Sequence, residues 1–315
     1  MALTIFIDGK EGTTGLRIFE RLATRPDLTI LTLPEDKRKD PVARKEAIHA
    51  SDIAVLCLPD AAAKESVALA EGSRARILDT STAHRTANGW AYGFAELSPA
   101  HRAGIINGNR VAVPGCHASG FVSIVTPLVQ AGLLSKDALL SCFSLTGYSG
   151  GGKKMIAQYE GDDRTPDLSS PRPYGLTQSH KHIPEMTHVP GLTTAPVFAP
   201  IVADYYSGME VTVPLFGSQL NCDHPVADVT ACLKAHYADS PIVKVLSADE
   251  VAAFSGFIPA NALSGKDGMV LMVTGNDERL QVVSLFDNLG KGSSGAALQC
   301  LNLMTGMDET LGLNL

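Results

Sequence analysis

Short apolar, β-branched runs alternate with stretches at helical spacing through the first third of the chain. Leu3 to Ile7 is one such run, stopping at Asp8-Gly9, and Leu16, Phe19 and Leu22 then fall on one face of a helix. The same patterning predicts strands over Leu28 to Leu33, Asp52 to Leu58 and Arg76 to Asp79, with helices over Pro41 to His49 and Ala61 to Ala70. Strands that alternate with helices imply right-handed crossovers and a parallel sheet, so this part is read as a doubly wound α/β unit.

The pattern changes after Pro114. A helix is expected over Ser119 to Leu133, followed by longer alternating runs at Leu139 to Leu145, Thr193 to Val202, Glu210 to Leu215, Val270 to Thr274 and Gln281 to Leu285. Such widely separated runs suit a mainly antiparallel sheet with long connections. Gly161 to Gly175, rich in Pro, Asp and Ser, reads as a surface loop, and Gly295 to Met304 as a buried closing helix. At 315 residues the chain exceeds one compact core, so two domains are expected.

A net charge of -7 gives no general attraction to nucleic acid or to an anionic membrane, so any phosphate-bearing ligand must be gathered by a local basic cluster. No apolar run reaches the roughly 18 residues of a membrane span, and Met1 to Asp8 lacks the features of an export signal. The six cysteines show no CxxC spacing, which favours reduced thiols and a cytoplasmic setting.

Four constellations carry chemistry. Gly9-Lys10-Glu11-Gly12-Thr13-Thr14-Gly15 joins the first strand to the first helix, where glycines admit a diphosphate and the helix N-terminus attracts it. Past the second strand, Lys37-Arg38-Lys39 favours a 2′-phosphate and hence NADP, whereas Glu35 and Asp36 would suit the ribose hydroxyls of NAD. Gly115-Cys116-His117 directly precedes an apolar helix, whose dipole and unpaired N–H groups favour a thiolate and could hold an oxyanion. The other reading of Cys116 is a buried structural thiol, a role that suits Cys57, Cys142 and Cys300 better. His180-Lys181-His182-Ile183-Pro184-Glu185 offers an acid/base near neutral pH and a carboxylate to orient it. A metal would need further ligands, with His188 and His224 as candidates, and no metal is expected. Gly147-Tyr148-Ser149-Gly150-Gly151-Gly152-Lys153-Lys154 offers backbone amides, a hydroxyl and ammonium groups as a phosphate or carboxylate cradle, or simply a flexible loop.

The order of these motifs resembles the short form of the N-acetyl-gamma-glutamyl-phosphate reductases of arginine biosynthesis. The resemblance runs from Gly12-Thr-Thr-Gly15 through Pro34 to Asp40, Leu58-Pro59, Pro114-Gly-Cys116, Ser149 to Lys153 and His180 to Glu185, ending at Asp287 to Gly292. It implies an NADP-binding Rossmann domain over residues 1–115 and 286–315, with a catalytic and subunit-contact domain over 116–285. It further implies Cys116 as nucleophile, with His180, His182 and Glu185 as its catalytic partners and His182 preferred as the chemical group. Gly9, Gly12, Thr13, Thr14, Gly15, Arg38, Lys39, Leu58, Pro59, Ser81 and Asn288 would meet the coenzyme. Arg110, Ser149, Gly150 and Lys153 would meet an acyl-phosphate substrate, in a homo-oligomer with no nucleic-acid or membrane partner. The reaction implied is reduction of N-acetyl-gamma-glutamyl phosphate to the semialdehyde through a Cys116 thioester. Aspartate-semialdehyde dehydrogenase chemistry, a non-catalytic dinucleotide-binding regulator and a cofactor-free hydrolase are the competing readings. The chain departs from the family pattern at Val113, at His117 and at Ala83-His84-Arg85.

Overall fold

The first strand, β1 (Leu3–Asp8), buries Ile5, Phe6 and Ile7 in succession, so both of its faces are covered, as a parallel sheet requires. The computed structural model describes residues 2–315, the side chain of Thr13 excepted. It divides into two compact units, the first running to Pro114 and taking in Ser293–Leu313, the second comprising Gly115–Gly292 with Asn314–Leu315.

In the first unit, α1 (Thr13–Leu22), β2 (Leu28–Leu31), α2 (Pro41–His49), β3 (Ile53–Leu56), α3 (Asp60–Leu69) and β4 (Arg76–Asp79) follow β1 in turn. β5 (Ala91–Tyr92), α4 (Pro99–Asn107) and β6 (Arg110–Ala112) complete its N-terminal part. The sheet is parallel throughout, in the order β2-β1-β3-β4-β6-β5. Period-two alternation sorts its side chains. Ile5, Ile7, Val55 and Leu78 pack with Ile18, Leu22 and the C-terminal helix Gly295–Thr305, while Phe6, Ala54, Leu56 and Ile77 pack with Ala47 and Ile48. The order reverses at β1, with β2 on one side and β3 on the other, which opens a crevice at the carboxyl ends of these strands.

The second unit begins with α5 (Cys116–Gln130), which is buried around almost its whole circumference and is a core helix. β7 (Ser141–Gly147), α6 (Gly152–Glu160), β8 (Arg172–Pro173), α7 (Ile183–His188), β9 (Val197–Ala203) and β10 (Met209–Phe216) follow. Then come α8 (Pro225–His236), β11 (Val243–Val245), α9 (Ala248–Ala252), β12 (Met269–Gly275) and β13 (Arg279–Phe286). The sheet order is β11-β12-β13-β10-β7-β9-β8, antiparallel except at the pairs β11/β12 and β7/β9. The fold is therefore the expected doubly wound sheet plus an α+β unit with a mostly antiparallel sheet.

Two local expectations are corrected. The segment Gly161 to Gly175 is not wholly a loop, because Leu168 is buried against Tyr159 and Val202 and Arg172 pairs with Val202 to add β8 to the sheet edge. The helix expected from Ser119 begins three residues earlier, with Gly115 as its N-cap. Among the described residues no helix is long and apolar enough to cross a membrane.

Candidate active site

In the first unit the chain turns sharply out of β1. Gly9 has φ +88°, and a Cβ at Gly15 would lie 2.4 Å from the Gly9 carbonyl oxygen and 2.9 Å from Lys10 Cα. Side chains are thus excluded at both ends of the turn, and the N-terminus of α1 is packed onto it. A cavity of about 660 Å³ opens at the carboxyl end of β1, with Gly9, Arg38, Lys39, Leu58 and Pro59 among its lining residues. Its place at the reversal of strand order, its glycine turn and its basic rim fit a dinucleotide phosphate. Gly12 caps α1, and its N–H donates to the Gly9 carbonyl at 3.2 Å. The Thr14 hydroxyl meets Ser293 at 3.2 Å, and the Thr13 side chain lies outside the described structure. Arg38 is not a simple free cation, because Glu35 binds it at 2.6 Å, so Lys39 is left as the less encumbered charge. Ser81 turns inward, its amide and hydroxyl both donating to Asp79 at 2.9 and 2.7 Å. Arg110 places its guanidinium over the Trp90 ring, 6.0 Å from the centroid.

The sequence reading missed the most buried cation of this cavity. Arg44 is 4% exposed and donates to Asp8 at 3.1 Å and to Glu65 at 2.6 Å. Burial works against its charge, but the hydrogen bonds and fields of Glu65 and Asp8 more than offset that, and its proton is held more tightly than usual. The signal was present in α2, where Arg44 shares the inward face with Ala43, Ala47 and Ile48.

In the second unit, Cys116 is the first residue of α5, at the positive end of the helix dipole. The preceding amide, that of Gly115, donates to the Glu185 carboxylate at 2.9 Å, which ties the start of α5 to α7. His180 and His182 stand edge to face with centroids 4.8 Å apart, and the His182 amide donates to His180 Nδ1 at 3.2 Å. Cys116, the two histidines and Glu185 thus gather at the start of α5. Burial, followed by the charge of Lys181, pushes His180 down to about 4, so its ring is neutral at pH 7.

Three further residues enter that the motif reading left aside. The His117 ring is buried, with Nδ1 at 2.6 Å from Ser144 Oγ and Nε2 at 2.6 Å from the Tyr174 hydroxyl. Its centroid lies 5.6 Å from that of His180 and 5.5 Å from that of His182. Burial first, then the charges of His180 and Lys181, pushes His117 down to about 3. Tyr174 is pushed up, by burial and then by the charge of Cys116. One ligand atom from each of Cys116, His117 and His182 lies within 4.8 Å of the other two, whereas His188 and His224 do not join this cluster. No side-chain periodicity reveals the Ser144 and Tyr174 contacts, because they come from the sheet pairing of β7 and β8 with β9.

The glycine run does not form an open cradle. Tyr148–Gly151 is a tight turn and α6 starts at Gly152, leaving Lys153 and Lys154 exposed on a helix. Ser149 meets Asn288, whose Nδ2 donates to Ser149 Oγ at 3.0 Å while its Oδ1 accepts from the Gly208 amide at 2.9 Å, and a Cβ at Gly150 would lie 3.5 Å from the same Nδ2.

A family model described as semialdehyde dehydrogenase, dimerisation domain, matches residues 116–288. The N-acetyl-gamma-glutamyl-phosphate reductases of Brucella ovis and Brucella abortus are 48% identical over 307 residues, covering 96% of this chain and 98% of each relative. Among solved structures, aspartate semialdehyde dehydrogenase II from Vibrio cholerae aligns with a TM-score of 0.72 at 14% identity, covering 97% of this chain and 99% of that one. The aspartate semialdehyde dehydrogenase of Candida albicans with NADP aligns with a TM-score of 0.66 at 14% identity, covering 97% and 99%. At such identities the structural likeness speaks for the fold.

Proposed function

The chain belongs to the N-acetyl-gamma-glutamyl-phosphate reductase family, and from that premise we propose that it reduces N-acetyl-gamma-glutamyl phosphate to the semialdehyde with NADPH, releasing phosphate, by way of a thioester on Cys116. The observation that carries the proposal is Cys116 at the start of a buried helix, with a His182 ring nitrogen within 4.8 Å of its sulfur. The Cys116 thiolate attacks the γ-carbonyl carbon, so that a C–S bond forms and the C–O bond to phosphate breaks. NADPH, when bound, supplies the hydride that reduces the thioester carbon. The backbone N–H groups that open α5 would stabilise the oxygen charge that develops at that carbon in both steps. His182 takes up the Cys116 thiol proton as the sulfur attacks and passes it to the departing phosphate oxygen, and the neutral His180 ring is suited to a hydrogen bond with substrate. Collapse of the thiohemiacetal reforms C=O, breaks C–S and returns the thiolate. Glu185 holds the Gly115 amide and with it the approach of Cys116.

The turn between Gly9 and Gly15 would hold the coenzyme's phosphates and Lys39 and Arg38 its 2′-phosphate, in the cavity that Leu58 and Pro59 also line. Arg110, Ser149, Gly150 and Lys153 remain candidates for substrate contact, and Asn288 supports Ser149. Self-association is proposed through the outer face of β9, β7 and β10, where Val197, Phe143 and Phe216 are 62%, 45% and 61% exposed. The six cysteines, none of them in a disulfide, support a reducing, cytoplasmic setting.

The reaction run backwards tests the proposal: phosphate-dependent reduction of NADP by N-acetylglutamate semialdehyde, beside aspartate semialdehyde. Cys116→Ser should abolish turnover while leaving NADPH affinity nearly unchanged, because a hydroxyl without an activating base is a poor nucleophile. Turnover within tenfold of the parent would sink the thioester mechanism.

A further inference from the structure

We propose that Cys116, His117 and His182 form a binding site for a thiophilic divalent cation, zinc above all, whose occupation shuts the enzyme off. The inhibitory part rests on the reading of Cys116 as nucleophile, whereas the binding part does not. One sulfur and two imidazole nitrogens lie within 4.8 Å of one another. Zn–S and Zn–N bonds of about 2.3 and 2.0–2.1 Å place tetrahedral ligands about 3.3–3.6 Å apart, so closure asks for movements of roughly 1 Å. A thiolate with two imidazoles and no carboxylate selects zinc or cobalt over magnesium or calcium.

His117 is already supported as a ligand would be. Ser144, fully buried on β7, holds Nδ1 at 2.6 Å and fixes the ring plane. The opposite nitrogen, Nε2, is held by the Tyr174 hydroxyl at 2.6 Å, from a residue just past the two-residue strand β8. That contact is the one that can yield to a metal. On binding, the thiol proton passes to solvent, three protein bonds form to the cation, and water fills the fourth position. No electrons move, and a sulfur bonded to the cation cannot attack a carbonyl.

The probe is cobalt(II), added to the whole protein without substrate or coenzyme and read by its thiolate charge-transfer absorption. One equivalent should produce the band, and Cys116→Ser should abolish it. His117→Phe keeps the ring volume and should weaken cobalt binding at least about tenfold, as should His182→Asn. Tyr174→Phe, which removes the competing hydroxyl, should tighten it, an outcome that general loss of structure would not produce. Zinc should inhibit reductase turnover reversibly on chelation. His117→Phe, measured against its own zinc-free rate, should need at least about tenfold more zinc. A band of equal affinity in His117→Phe and parent would overturn the proposal, as would zinc inhibition without a Cys116-dependent band. A cobalt band in a protein with no reductase turnover would leave the metal site standing and remove the proposed function instead.

Discussion

His117→Phe should make the protein markedly less sensitive to acid. In the folded chain burial holds His117 near 3, against 6.5 for an ordinary imidazole. As pH falls through 6.5 the unfolded chain takes up this proton and the folded chain does not, so stability present above 6.5 is lost progressively down to about 3. Inside that window the loss approaches about 1.4 kcal/mol per pH unit, which amounts to about 2 kcal/mol between pH 7 and pH 5. Phenylalanine fills the same volume and cannot titrate. It strands the Ser144 and Tyr174 hydroxyls, but that cost is the same at every pH in this range and does not affect the slope. His180, held near 4, contributes a similar term to both proteins and cancels in the difference. The assay is urea unfolding of parent and variant at pH 7 and pH 5, with refolding checked at each. The parent should lose about 2 kcal/mol more than the variant on acidification. Parallel losses would mean that His117 takes up its proton in the folded state, and the burial argument would fail.

Gly15→Ala should lower NADPH affinity at least about tenfold by fluorescence titration, because the new Cβ meets the Gly9 carbonyl at 2.4 Å and forces the turn apart. Arg38→Ala with Lys39→Ala should cut the preference for NADPH over NADH, measured as the ratio of kcat/KM, by about a hundredfold, the size expected for two weakened charge-assisted contacts. Lys39→Ala alone should account for most of that loss, since Glu35 engages Arg38; an unchanged ratio would remove the basic triplet from the site. Glu185→Gln keeps an acceptor for the Gly115 amide without its charge, and should lower kcat about tenfold with KM little moved; equal loss in both would point to general disorder of α7.

The chain order alone carried the doubly wound first unit, because β1, α2 and β4 announce themselves by local periodicity and need no distant partner to be recognised. It also singled out Cys116, the histidine pair and the glycine turn as candidates, since each is a contiguous motif whose chemistry is local. The basic triplet was legible as charge, but its internal pairing was not, because Glu35 reaches Arg38 only through a particular turn geometry. What tertiary structure decided is everything that depends on residues far apart in sequence. Arg44 reads as one more helix charge until Asp8, 36 residues away, and Glu65 close around it. His117 reads as a mere neighbour of Cys116 until β7 brings Ser144 to one ring nitrogen and the segment after β8 brings Tyr174 to the other. Periodicity records which face of an element is apolar, but not which distant polar atom will meet a buried side chain. That meeting is fixed by strand order and register, and it sets the desolvation and the hydrogen bonds that give each group its proton affinity.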